Sequence, residues 1–163
     1  MTRLDAQYPI EPVLDTLNAT FPDHPMDDAT GDNPYKVLVA CLLSLRTKDE
    51  TAIPASLRLF EHADTPEKMV TLSPETIQKL IFPVGFYKNK SHTILTISHQ
   101  LLADYDSQVP DTVEELLKFK GVGRKTANLV VGLGHRKPSV CVDVHVHRIT
   151  QRLGYLENKT PED

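Results

Sequence analysis

A lysine is a nucleophile only when neutral, and Lys125 stands where its surroundings would favour that form. It closes the run Lys120-Gly121-Val122-Gly123-Arg124-Lys125, a tight glycine-bounded turn that leads into a helix. A helix N-terminus and a neighbouring guanidinium both disfavour an ammonium there. Such an amine could attack a sugar C1′ and form a Schiff base. The plain alternative is a surface lysine near a helix start. In the same turn, Gly121 and Gly123 let an anion reach the backbone without a Cβ in the way. The following helix turns N–H groups and its positive dipole end toward that anion. Lys120, Arg124 and Lys125 add mobile positive charge, with the Val122 backbone between them. This chemistry suits a phosphate.

Eighteen residues beyond Lys125 lies Val140-Cys141-Val142-Asp143-Val144-His145-Val146-His147-Arg148. An aspartate that follows an apolar run and opens a helix reads first as an N-cap. A carboxylate facing Lys125 could also take its proton and stabilise a developing oxocarbenium ion. The two roles are compatible. The same run supports a rival reading: on an alternating strand, His145 and His147 would share a face, as in metal hydrolases. Against it, no supporting His or Cys cluster accompanies them, and the rest of the chain reads as helical.

The elements that must position these residues are nearly all helices. The spacing predicts an amphipathic helix over 11–20 and a buried one over 33–45, opened by the Asn33-Pro34 cap. Another follows over 49–61, with Pro54 near enough to its start to be tolerated or to kink it. Thr65-Pro66 and Ser73-Pro74 open two short helices. Gly85 breaks the chain before a long helix over 88–104, with Ile94, Ile97, Leu101 and Leu102 on one face. Asp111 caps a helix running to Phe119, and the glycine turn leads to a helix over 124–133. Residues 143–153 form the next, stopped by Gly154. Thr160-Pro161 starts one more helix as the sequence ends, so a fragment lacking its natural C-terminus is expected.

Composition fits a soluble globular protein: of 163 residues, 40% are hydrophobic and 25% charged, with no low-complexity run or repeat. The longest apolar stretch, 37–43, is too short for a membrane span, and the N-terminus lacks a signal-peptide core. No membrane partner and a cytoplasmic location follow as expectations, with Cys41 and Cys141 as reduced core thiols. The net charge of −4 alone argues against nucleic acid, but it is unevenly spread. Residues 1–35 carry −6 and the remainder +2, and six Lys/Arg fall between residues 116 and 142 without one acid. Screening over about 8–10 Å lets such a patch act locally, whether as a phosphate site or as a solvated helix face.

At these residues the chain resembles the helix–hairpin–helix DNA glycosylases. The resemblance rests on Gly121-Val122-Gly123-Arg124-Lys125-Thr126-Ala127-Asn128, the Gly/Pro-containing loop over 132–138, and Val142-Asp143-Val144-His145. Leu42-Leu43-Ser44-Leu45-Arg46-Thr47-Lys48-Asp49 and Val84-Gly85-Phe86-Tyr87-Lys88-Asn89-Lys90 point to the endonuclease III branch. The similarity spans residues 33–155. It implies an all-α fold: a helical barrel domain over 27–136, its hairpin at 113–134, and a second domain split between 1–26 and a truncated 137–163. It implies a glycosylase that removes oxidised pyrimidines from duplex DNA and cleaves at the abasic site, acting as a monomer.

In that resemblance Lys125 falls on the Schiff-base lysine and Asp143 on the catalytic aspartate. Arg46, where family members often carry Gln, and Phe86 fall where side chains enter the space left by the extruded base. Lys88, Lys90, Lys120, Gly121, Val122, Gly123, Arg124 and His145 are the further DNA-contact candidates. Backbone carbonyls of Leu117, Phe119 and Val122 would bind a monovalent cation. The family usually carries four closely spaced cysteines holding a [4Fe-4S] cluster. Cys41 and Cys141 do not match them, so no cofactor is expected within this chain, and the cluster is expected in a missing C-terminal segment if the full-length protein follows the family. The half-present second domain implies lower stability and weaker DNA binding than a full chain. The competing readings are a DNA-binding module without chemistry and the metal hydrolase on His145 and His147.

Overall fold

The computed structural model describes residues 9–21, 26–157 and 160. Its helices are α1 (Ile10–Thr20), α2 (Asp27–Thr30), α3 (Pro34–Ser44), α4 (Asp49–His62) and α5 (Pro66–Met69). They continue with α6 (Pro74–Ile81), α7 (Tyr87–Asp104), α8 (Val113–Leu116), α9 (Arg124–Leu129) and α10 (Val144–Arg152). No strand occurs among the described residues, as the all-α expectation requires. The chain forms two compact units: one is Pro25–Val140, and the other draws on the two chain ends, with the second part starting at Cys141.

Three cap-and-proline signatures act as their chemistry dictates. Asn33 Oδ1 accepts the Tyr35 and Lys36 N–H groups at 3.0 and 3.1 Å. Thr65 and Ser73 accept from Lys68 and Thr76, while Pro66 and Pro74 begin the helices they open. A proline there loses no helical bond, since its N–H would have had no intrahelical partner. Pro54 instead lies inside α4, on its exposed side, so the carbonyl it frees can turn to water.

The larger unit is built around α3, in which Tyr35 and every residue from Val37 to Leu43 are buried. A helix hydrophobic all round must be covered all round. Helices α2, α4, α7 and α9 and the segment after α9 pack against it. Leu38, Leu43, Leu59, Ile77, Ile94, Ile97 and Leu101 are fully buried in one cluster with Leu116 and Phe119. Each such side chain contributes about 1.5–3 kcal/mol of burial, so the hairpin is anchored in the main core.

Two local expectations are corrected. Asp111 does not cap α8; Thr112 holds that position without a side-chain cap, and the Asp111 carboxylate pairs with Lys137. Helix α8 also ends at Leu116 rather than Phe119. After α9 the chain widens into a π turn, Val130–Gly134. Gly134 is required there, because an added Cβ would lie 2.8 Å from the Pro34 Cα.

Candidate functional site

The hairpin separates its anchors from its tip. Leu116, Phe119, Val122, Thr126 and Ala127 are buried, while Leu117, Lys120, Gly121, Gly123, Arg124 and Lys125 are exposed. The Tyr105 ring meets Phe119 at 5.4 Å between centroids, holding the turn from behind. Gly121 has φ +91, which an L side chain rarely adopts, and a Cβ there would meet Thr93 Cγ2 at 3.3 Å. Gly123 caps α9 at φ −96, and a Cβ there would point into open space. Gly121 therefore serves the turn itself, whereas no protein neighbour demands a glycine at 123.

The basic run is less uniform than its sequence. Arg136 pairs with Asp32, Lys137 with Asp111, and Lys118 with Glu115 at 2.5 Å. The Lys118 ammonium holds the Glu115 carboxyl below its usual range, helped by the Tyr105 hydroxyl, which donates to it at 3.0 Å. Lys137 does the same for Asp111. Among the described residues Lys120 and Arg124 make no ion pair with an acid, so the positive charge concentrates at the hairpin tip. A cavity of about 560 Å³ elsewhere in this unit is lined by Asp32, Asp64 and Glu67 and by no lysine or arginine.

Arg46 and Phe86, forty residues apart in sequence, are brought together. The Arg46 guanidinium carbon lies 5.9 Å from the Phe86 ring centroid, and both side chains are exposed, Phe86 by 61%. Each is held left-handed, Arg46 at φ 53 and Phe86 at φ 58. For non-glycine residues this costs about 1–2 kcal/mol each, a strain of the kind that concentrates at functional positions. Gly85 donates its N–H to Thr47 Oγ1 at 3.1 Å, and a Cβ at 85 would lie 3.0 Å from the Arg46 carbonyl oxygen. Behind Phe86, Arg58 of α4 donates to the carbonyls of Leu80 and Phe82 at 3.0 and 2.8 Å.

Lys88 is exposed, but Lys90, named with it as a DNA-contact candidate, is turned inward. Its ammonium donates to the carbonyls of Leu43 and Leu45 at 2.8 and 2.6 Å and to Thr47 Oγ1 at 3.2 Å. These carbonyls belong to the end of α3, where the last carbonyls lack helical partners and the dipole end is negative. Burial pushes the ammonium down to about 8. The sequence held the sign of this: Lys90 precedes Ile94, Ile97 and Leu101 by four, seven and eleven residues, the period of the buried face of α7. Thr47, Gly85 and Arg58 had no such sign, since their roles come from contacts between distant segments.

In the smaller unit Asp143 is the N-cap of α10: its Oδ1 accepts the His145 and Val146 N–H groups, each at 2.9 Å. The strand needed for the metal-hydrolase reading is absent here. His145 and His147 lie on a helix, about 200° apart at 100° per residue, with His147 buried and His145 exposed. Arg148 lies 3.0 Å from His145 Nδ1 and donates to it. Among the described residues no three His, Cys, Asp or Glu side chains group to hold a metal. A [4Fe-4S] cluster is held by four cysteine thiolates, and the sequence has two cysteines, Cys41 buried within α3 and Cys141 half-buried. The residues present do not fit such a cluster.

An all-helical domain with an anchored, glycine-bounded, basic hairpin defines the helix–hairpin–helix class. The model of one family, the HhH-GPD superfamily of base excision DNA repair proteins, matches residues 39–163. Endonuclease III of Thermotoga maritima is 47% identical over 131 residues, which make up 80% of this chain and 62% of that protein. A solved non-covalent endonuclease III–DNA complex superposes with a TM-score of 0.81 at 33% identity, covering 94% of this chain and 72% of that one. A trapped endonuclease III–DNA covalent intermediate gives 0.78 at 34% identity, with the same coverage. The chain belongs to the HhH-GPD superfamily, and the match spans less than two thirds of the Thermotoga relative's length.

Proposed function

We propose that the chain is a base-excision DNA glycosylase with abasic-site lyase activity, taking oxidised pyrimidines from duplex DNA through a Schiff base on Lys125. The observation that carries this reading is the placement of Lys125: exposed on the tip of a hairpin fixed from within by Phe119, Val122, Thr126 and Ala127. The likeness to endonuclease III, one example of which is trapped covalently on DNA, supports it.

In this reading the hairpin, with Lys120, Gly121, Val122, Gly123 and Arg124, holds the phosphate backbone, with Lys88 and His145 as further contacts. Carbonyls of Leu117, Phe119 and Val122 are the candidates for a monovalent cation on the same turn. The target base leaves the stack, since its glycosidic carbon is unreachable inside a duplex. Phe86 wedges the step and Arg46 hydrogen-bonds the orphaned partner. The Lys125 lone pair then forms a bond to C1′, and the glycosidic bond breaks with its electron pair passing to the base, which takes a proton from water as it departs. Asp143 is the carboxylate that accepts the lysine proton. Opening of the C1′–O4′ bond, with a proton taken up at O4′, leaves the protonated Schiff base. Loss of a C2′ proton expels the 3′-phosphate, and water finally releases the sugar remnant and restores the amine. A monomer acting on cytoplasmic or nucleoid DNA completes the reading. No described helix is long and apolar enough to cross a membrane.

The test is borohydride trapping on an abasic-site duplex. A covalent adduct that disappears in Lys125→Ala supports the lyase. Salt-dependent binding without any adduct, by protein shown to be folded, would make the hairpin a binding module and defeat the proposal.

A further inference from the structure

We propose that Lys90 is a positioning residue that locks the Arg46 and Phe86 loops into one rigid tip. The inference rests on the reading of Arg46 and Phe86 as the side chains that enter the duplex. Its ground is a connected set of contacts that runs from Lys90 through the residues flanking Arg46 and Phe86. From the first turn of α7, the Lys90 ammonium reaches the carbonyls on either side of Ser44, where α3 ends, and the Thr47 hydroxyl one residue past Arg46. Arg46 is thus bracketed, its preceding carbonyl and its following side chain both held by one ammonium. The Thr47 oxygen also accepts the Gly85 N–H, directly before Phe86. Phe86 in turn gives its carbonyl to the Lys90 N–H at 3.0 Å, closing the loop of contacts.

A buried ammonium is a costly way to fill space, and an apolar side chain would continue the Ile94-Ile97-Leu101 face without it. What the ammonium supplies is three donors converging on a loop that holds a left-handed arginine. Two strained tips on separate segments keep a fixed spacing only if something ties the segments together, and Lys90 with Thr47 is that tie.

The experiment compares binding to a duplex carrying a tetrahydrofuran abasic analogue beside 2-aminopurine with binding to the same duplex undamaged. Fluorescence anisotropy reads affinity and 2-aminopurine emission reads unstacking. Lys90→Met should bind undamaged duplex within about twofold of wild type, because the hairpin is untouched, while its preference for the abasic duplex falls about tenfold and the emission rise is lost. Thr47→Val, which keeps both carbonyl contacts and cuts the link to Gly85, should lose about threefold of the preference. A purely structural role would lower the melting temperature but leave the preference of folded Lys90→Met unchanged, and that result overturns the proposal. If Lys90→Met does not fold, unchanged preference in Thr47→Val overturns it instead. The Arg46→Ala/Phe86→Ala variant separates the two levels: if it keeps the wild-type preference, the reading of the tip itself fails, whatever Lys90 does.

Discussion

Replacing Gly121 and Gly123 by alanine, one at a time, should separate folding from binding within three residues of chain. At Gly121 the φ of +91 imposes left-handed strain of about 1–2 kcal/mol on an alanine, and Thr93 must give by a few tenths of an ångström. The reduced freedom of the unfolded chain returns about 0.4–1 kcal/mol. The net loss is about 1 kcal/mol, or roughly 2–4 °C in melting temperature for a chain of this length. At Gly123 the backbone suits alanine and no atom lies within 4 Å of the new methyl group. The poorer N-cap and the stiffer unfolded chain nearly cancel, so melting should stay within about 1–2 °C of wild type. The methyl group would stand where a phosphate approaches the start of α9. Losing one charge-assisted hydrogen bond of about 1.5–3 kcal/mol weakens binding by tenfold or more. Thermal melting and anisotropy titrations on a short duplex at several salt concentrations measure both quantities. Wild-type affinity and an unchanged salt slope in Gly123→Ala would refute the assignment of this turn as the phosphate cradle.

Other variants probe the remaining parts. Asp143→Asn should keep the α10 cap and the melting temperature yet lose base removal, whereas Asp143→Ala should lose both, with about 1 kcal/mol of stability; melting and base-release assays decide. Lys120→Ala or Arg124→Ala should each reduce the slope of log K against log salt by about 0.9, while Arg136→Ala, whose guanidinium is engaged by Asp32, should leave it unchanged. Lys90 has a folded value of about 8, below its ordinary 10.5, so between those pH values the unfolded chain binds more protons than the folded one. Stability of the wild type relative to Lys90→Met should therefore rise from pH 8 to 10.5, seen in urea midpoints; a fall over that window would count against the burial.

What the sequence made legible followed from local chemistry. Asn33-Pro34, Thr65-Pro66 and Ser73-Pro74 carry both a side-chain acceptor and a fixed φ, so helix starts can be read to the residue. Asp111 offered the same kind of acceptor but found Lys137, twenty-six residues away, and the cap moved to Thr112. The Gly121-Val122-Gly123 turn is visible as a pattern, while the division of labour between its glycines depends on Thr93, which the local pattern does not contain. His145-Val146-His147 alternates like a strand over too few residues to outweigh the Asp143 cap, and helix won. Lys90 follows two polar, exposed residues, Lys88 and Asn89, yet the period of α7 sets it on the buried face. Three of the six cations in the basic run pair with acids before or outside the run, which no count of charge within it could reveal.

Helix α3 ends at Ser44, and the residues before it, Val37 to Leu43, are enclosed by the core. The loop holding Arg46 therefore leaves a clamped beam rather than a free surface arm. A load applied at Arg46 along that axis would be taken up by the packing around Val37–Leu43, not by bending of the loop. Stiffness at this tip is in that sense a property of the hydrophobic interior, so cavity-forming changes at Leu38 or Leu42 should soften a surface residue they never touch.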